Sequence, residues 1–152
     1  MAVSAFDTPY RGGFVGAEHH FALTVYFEDT DTARIVYYAN YLKYMERARS
    51  DMLRAVGIDQ HAAINADDGV YAVAEVAIRY LRPARLGDDL LVVSSIDQVR
   101  AATVAIHQRV MRGAETLTEA RVTAAFLSSD GRPRRQPAEW VAAFRAIETK
   151  GN

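Results

Sequence analysis

The sequence predicts an α+β protein, a five-stranded antiparallel sheet wrapped around one long central helix. Three observations predict it. The 152 residues are half apolar and 24% charged, with 18 Lys+Arg against 19 Asp+Glu, which is the composition of a single globular domain able to bury a core. The hydrophobic period switches from two to about 3.6 residues and then back to two. The later strand segments are joined by only a few residues, and such short connections force antiparallel neighbours.

Residues 1–18 hold Pro9, Gly12, Gly13 and Gly16 and no apolar run. They are expected as a flexible N-terminal arm, not a signal peptide, ahead of a single domain over residues 19–148. In residues 21–28, Phe21, Leu23, Val25 and Phe27 alternate with Thr24, Tyr26 and Glu28, the pattern of a half-buried strand. Next, Tyr38, Tyr41, Leu42, Met45, Ala48, Met52, Leu53 and Val56 recur at steps of three and four, one face of a helix. Asn40 suits its N-cap and Gly57 its C′ position. The polar residues 59–69 leave room for one helical turn. Strands are expected over residues 71–81, 89–99, 101–112 and 117–128, separated by turns at Leu86-Gly87-Asp88, Arg112-Gly113-Ala114 and Ser129-Asp130-Gly131. Pro137 then opens a short helix bearing Trp140, Val141, Phe144 and Ile147. Residues 149–152 are expected to fray.

A net charge of −1 supplies no basic field for nucleic acid, and no apolar run is long enough to span a membrane. The absence of cysteine excludes a disulfide framework, a thiolate nucleophile and any cysteine-based metal site. A cytoplasmic protein is expected. His19, His20, His61 and His107 do not fall at metal-ligand spacing, and His107, inside a strand, reads as a packed or surface residue. Glu75, between Ala74 and Val76, reads as solvated or ion-paired. No P-loop, G-x-G-x-x-G, G-x-S-x-G or H-E-x-x-H is present.

The densest chemistry lies at the strand-to-helix junction, residues 28–41. Carboxylates there can simply cap the helix and favour its positive end. A calcium loop counted from Asp29 would need Gly and Glu where Arg34 and Asn40 stand, so that alternative fails.

Residues 25–57, VYFEDTDTARIVYYANYLKYMERARSDMLRAVG, resemble the hotdog-fold acyl-CoA thioesterases of the 4-hydroxybenzoyl-CoA thioesterase type. They look closest to the subfamily found in the bacterial Tol-Pal gene cluster. Asp29, Asp31, Val36, Tyr37, Tyr38, Asn40, Tyr41 and the run Glu46, Arg47, Ala48, Arg49 carry the likeness, and residues 80–88 extend it, so that it covers residues 21–127. Two positions depart from the usual pattern: Arg34 replaces a Gly, and Tyr38 stands where many Tol-Pal-type members have His.

The resemblance implies a hotdog fold and hydrolysis of an acyl-CoA thioester without metal or other cofactor. It makes Asp31 the catalytic carboxylate, acting as nucleophile or as general base to water. The Tyr38 amide region then stabilises the oxyanion. Tyr41, Tyr44 and Met45 are expected along the acyl pocket and Arg100 on the CoA phosphates, with Arg82 and Arg85 as further basic candidates. An acyl-carrier-protein thioesterase and a non-catalytic acyl-CoA-binding or scaffolding protein are the alternatives. One helix is narrow for a five-stranded sheet, so the remaining apolar surface and the sheet edges call for a second subunit. A homodimer or homotetramer is expected.

Overall fold

The computed structural model describes residues 4–149. The first three residues of the expected arm and residues 150–152 of the expected frayed end lie outside the described residues. The strands are β1 (Gly13–Val15), β2 (Glu18–Thr24), β3 (Val70–Tyr80), β4 (Asp89–Val99), β5 (Thr103–Arg112) and β6 (Glu115–Leu127). The helices are α1 (Asn40–Ala55), α2 (Gln60–Asn65) and α3 (Ala138–Ala146). One antiparallel sheet contains all six strands in the order β1-β2-β4-β5-β6-β3.

The sheet therefore has one strand more than expected. Gly13–Val15, inside the predicted arm, pairs with β2, placing Phe14 against His19. Gly12 allows that approach, since a Cβ there would meet the His20 carbonyl oxygen at 2.1 Å. Strand β2 also runs earlier than predicted. His19, Phe21 and Leu23 supply its inward face, and Asp29 ends the extended run by accepting the Tyr26 N–H at 2.9 Å. Phe27–Asp29 consequently forms a 3-10 turn, and Phe27 is exposed although it continues the alternation.

Helix α1 forms where its period predicts, burying Tyr41, Tyr44, Met45, Ala48, Met52 and Leu53. Tyr38 and Leu42, assigned to the same face, are exposed instead. The end of α1 follows its residues closely. Gly57 has φ +91° and donates to the Arg54 carbonyl at 3.0 Å, while Ile58 donates to Leu53 at 2.9 Å, which is a Schellman closure. Asn40 is not the cap: it is the first helical residue, and its side chain donates to the Asp29 carbonyl at 2.9 Å.

Helix α1 packs on β1, β2, β4 and β5. One core cluster joins Tyr41, Tyr44, Met45 and Ala48 to Val92, Val110 and Val122, and a second joins Met52 and Leu53 to Ile96, Ile106 and Phe144. The inner face of β3 lies beyond the helix, at the sheet edge. No helix among the described residues is long and apolar enough to cross a membrane.

Candidate active site

The junction between β2 and α1 is tied at its base. The Asp29 carbonyl accepts the Tyr37 N–H at 3.0 Å as well as the Asn40 side chain, and Thr30 bridges to Val36. The intervening loop carries Asp31. Its N–H donates to the Ile35 carbonyl at 2.9 Å, its carbonyl accepts the Arg34 N–H at 2.9 Å, and its Oδ1 accepts the Ala33 N–H at 2.8 Å. Three local bonds thus fix the half-buried Asp31. Closing the loop requires φ +65° at Arg34, a left-handed conformation that favours glycine.

The helix start presents two oriented donors. The Tyr37 carbonyl accepts the Asn40 N–H at 2.8 Å, and because a peptide is planar this also aims the Tyr38 N–H in the opposite direction. The Tyr38 carbonyl accepts the Tyr80 hydroxyl at 3.1 Å, which aims the Ala39 N–H in the same way. Neither N–H donates to any acceptor among the described residues. Both lie at the positive end of α1, where a developing anion is favoured.

Beside these donors is a groove of about 300 Å³ lined by Ile35, Val36, Tyr38, Tyr41, Tyr80 and Leu81, among others. Its rings meet edge to face, with Tyr38–Tyr80 centroids 6.1 Å apart and Tyr41–Tyr80 centroids 5.6 Å apart. Burial raises the Tyr41 phenol above its ordinary range, and burial with the Asp29 carboxylate nearby raises that of Tyr44. Both stay protonated at neutral pH, so the aromatic part of the groove wall is uncharged, and Arg82 is the charged residue in the lining.

The structure brings Tyr38 and Tyr41 together in this groove and places Asp31 in the adjoining loop, joined to it through Ile35. Arg100 is elsewhere. It sits exposed in the turn between β4 and β5, with its carbonyl accepting Gln136 at 2.8 Å. Strand β4 separates it from the Asp31 end of the sheet, a span of about 35 Å at roughly 3.3 Å per residue. Arg82 lies at the groove, paired with Glu115 at 3.1 Å. His107 is on the outer sheet surface, 2.7 Å from Glu119. Glu75 is exposed, without an ion pair among the described residues.

Two features escaped the sequence. Tyr80 closes the aromatic wall and orients Tyr38; its place just ahead of Arg82-Pro83, where β3 must end, was the available signal. His19 and Asp51 form a buried pair, Nε2 to Oδ2 at 2.7 Å, with Arg54 also on Asp51. The signal there was a carboxylate on the apolar face of α1, which burial obliges to find partners.

Residues 33–119 match the family model described as the thioesterase superfamily. The chain is 35% identical over 129 residues to the acyl-CoA thioesterase YbgC of Haemophilus influenzae, covering 84% of this chain and 95% of that protein. It is also 35% identical over 123 residues to the acyl-CoA thioester hydrolase YbgC of Escherichia coli, covering 80% and 91%. Among solved structures, a probable thioesterase from Bartonella henselae superposes with a TM-score of 0.75 at 31% identity, over 79% of this chain and 99% of that one. A 1,4-dihydroxy-2-naphthoyl-CoA thioesterase from Synechocystis, at 23% identity, shares the fold with a TM-score of 0.79 over 84% and 96%. The architecture is the hotdog fold, and the protein is a thioester hydrolase. The chain belongs to the thioesterase superfamily.

Proposed function

We propose that this protein hydrolyses an acyl-CoA thioester to a free carboxylate and CoA, with Asp31 as the catalytic carboxylate. The observation that carries this reading is the pair of oriented N–H groups, Tyr38 and Ala39, next to the loop that fixes Asp31. As the carbonyl carbon becomes tetrahedral its oxygen gains negative charge, and preorganised donors stabilise that charge without reorganising. Asp31 either takes a proton from the attacking water or itself attacks to give a mixed anhydride. In either case the C–S bond breaks and the sulfur leaves as the CoA thiol after protonation; on the second route a water then hydrolyses the mixed anhydride, releasing the carboxylate product and regenerating Asp31. Oxygen-18 from solvent appears in Asp31 during a single turnover only in the second case.

Tyr38, Tyr41 and Tyr80 support binding of the acyl group along an aromatic wall. Arg100 supports phosphate binding only from across a subunit interface, because of its distance from Asp31 in its own protomer. The uncovered β3 edge supports a homodimer or a pair of such dimers. A CoA-ester substrate supports a cytoplasmic protein.

Free-thiol release from short, long and aromatic acyl-CoAs tests the proposal. Turnover of at least one class supports it. A chain inactive on every CoA ester, yet active on acyl-carrier-protein esters, moves the substrate to the carrier; inactivity on both favours a binding or scaffolding role.

A further inference from the structure

The groove beside Asp31 has one charged residue in its lining, Arg82, on a wall otherwise built of tyrosine, aliphatic and proline side chains. An exposed arginine usually keeps its rotamer freedom in solvent. Arg82 is restrained at both ends. Its backbone N–H shares the Leu117 carbonyl with that of Leu81, at 3.1 and 2.8 Å. Its Nε lies 3.1 Å from Glu115 Oε2, while Glu115 Oε1 accepts Arg112 Nη2 at 2.6 Å. Arg112 in turn donates to Asp88 at 2.8 Å and to the Pro83 carbonyl at 3.3 Å. The Arg82 guanidinium is therefore held through Nε alone. Its terminal Nη1 and Nη2 have no acceptor among the described residues, and that edge has the spacing to take both oxygens of a carboxylate.

Backbone pairing fixes where such an anion belongs. Ile35 pairs antiparallel with Arg85, and the Val36 N–H donates to the Ala84 carbonyl at 2.9 Å. The chain from Arg85 back to Arg82 therefore leads away from Asp31, toward Tyr38 and Tyr80. Asp31 stands near one end of the groove and a cation near the other, so a carboxylate at the Arg82 end is spared repulsion by Asp31. The Arg82 Cα is at most about 7 Å from that of Tyr80, whose hydroxyl donates to the Tyr38 carbonyl at 3.1 Å. That reach serves the acyl group itself. The CoA phosphates stand a whole pantetheine arm away from the sulfur.

We propose that Arg82 makes the groove selective for acyl groups ending in a second carboxylate, so that the substrates are mono-thioesters of short aliphatic or aromatic dicarboxylic acids. This assignment rests on the groove beside Asp31 being the active site. The tyrosine rings pack the uncharged body of the acyl group, and Arg82 takes its far end. A neutral acyl group of the same shape gains the ring contacts but leaves the Nη1–Nη2 edge without its partner.

Thiol release from adipoyl-CoA and 4-carboxybenzoyl-CoA is compared with release from their methyl monoesters, which keep the body and remove the charge. Wild type is expected to favour acid over ester about tenfold or more in kcat/KM, the strength of a charge-assisted pair. Arg82→Gln should abolish that ratio and Arg82→Lys keep part of it. The ratio is taken within one protein, so a general loss of activity cancels. N-acetylcysteamine thioesters, which lack the phosphates, should show the same preference. Equal rates for acid and ester in wild type, or a preference that survives Arg82→Gln, overturn the proposal. An Arg82 effect confined to CoA esters, without acid preference, assigns the residue to the phosphates and overturns it too. If the chain hydrolyses no ester, the Asp31 reading fails, and binding of a non-hydrolysable CoA thioether ending in a carboxylate decides the Arg82 site separately. Binding about tenfold weaker to Arg82→Gln than to wild type upholds that site, and equal binding removes it.

Discussion

The Tyr41 hydroxyl accepts the Ala84 N–H at 3.0 Å, with both residues buried. This bond joins the first turn of α1 to the segment that follows β3, and so holds two walls of the groove together. Tyr41→Phe keeps the ring but leaves the Ala84 amide without a partner in a dry site. The expected loss is about 1–3 kcal/mol, read from the urea midpoint at constant slope.

Arg34 shows what the departure from glycine does. The loop around Asp31 needs a left-handed residue there, and an arginine adopts φ +65° at a steric cost. Arg34→Gly is expected to raise stability by about 1 kcal/mol, partly offset by the freer unfolded chain. Thiol release should stay close to wild type, because the Ala33 N–H bond to Asp31 does not involve the Arg34 side chain.

The buried His19 makes stability depend on pH. Burial lowers its pKa, outweighing the Asp51 carboxylate bonded to it, which pulls upward; His20 and Arg54 add to the lowering. The folded chain therefore binds this proton less readily than the unfolded chain, whose imidazole titrates near about 6.5. The contribution of His19 is complete above that pH and is lost as pH falls toward the lower folded value. Urea midpoints should drop between pH 7 and pH 5, and His19→Phe should reduce the drop. An equal drop in the variant would assign it to other groups.

Most of the architecture was legible where one periodicity ran unbroken. The stripe through Tyr41, Met45, Ala48 and Met52 specifies α1, and Gly57 closes it as its position suggests. Strand β1 was hidden because three residues beside two glycines are too few to show a period; only its pairing with β2 makes it a strand. The end of β2 was misplaced because Phe27 continues the apolar alternation, while the bond from Tyr26 to Asp29 that turns the chain is not a pattern in hydrophobicity. In the candidate site, Asp31 and Tyr38 followed from the motif and the helix start. The contribution of Tyr80 depends on a contact between residues 42 positions apart, and local sequence does not encode such a contact.

The most direct test of the account is thiol release by Asp31→Asn on the best acyl-CoA substrate of the wild type. Asparagine retains an oxygen that can accept the Ala33 N–H, so the loop should keep its shape, which an unchanged circular dichroism spectrum and urea midpoint would verify. The account predicts a fall in kcat of about 10²–10⁴, the usual consequence of losing a general base. Turnover at the wild-type rate by a folded Asp31→Asn protein would contradict it and move the catalytic carboxylate elsewhere.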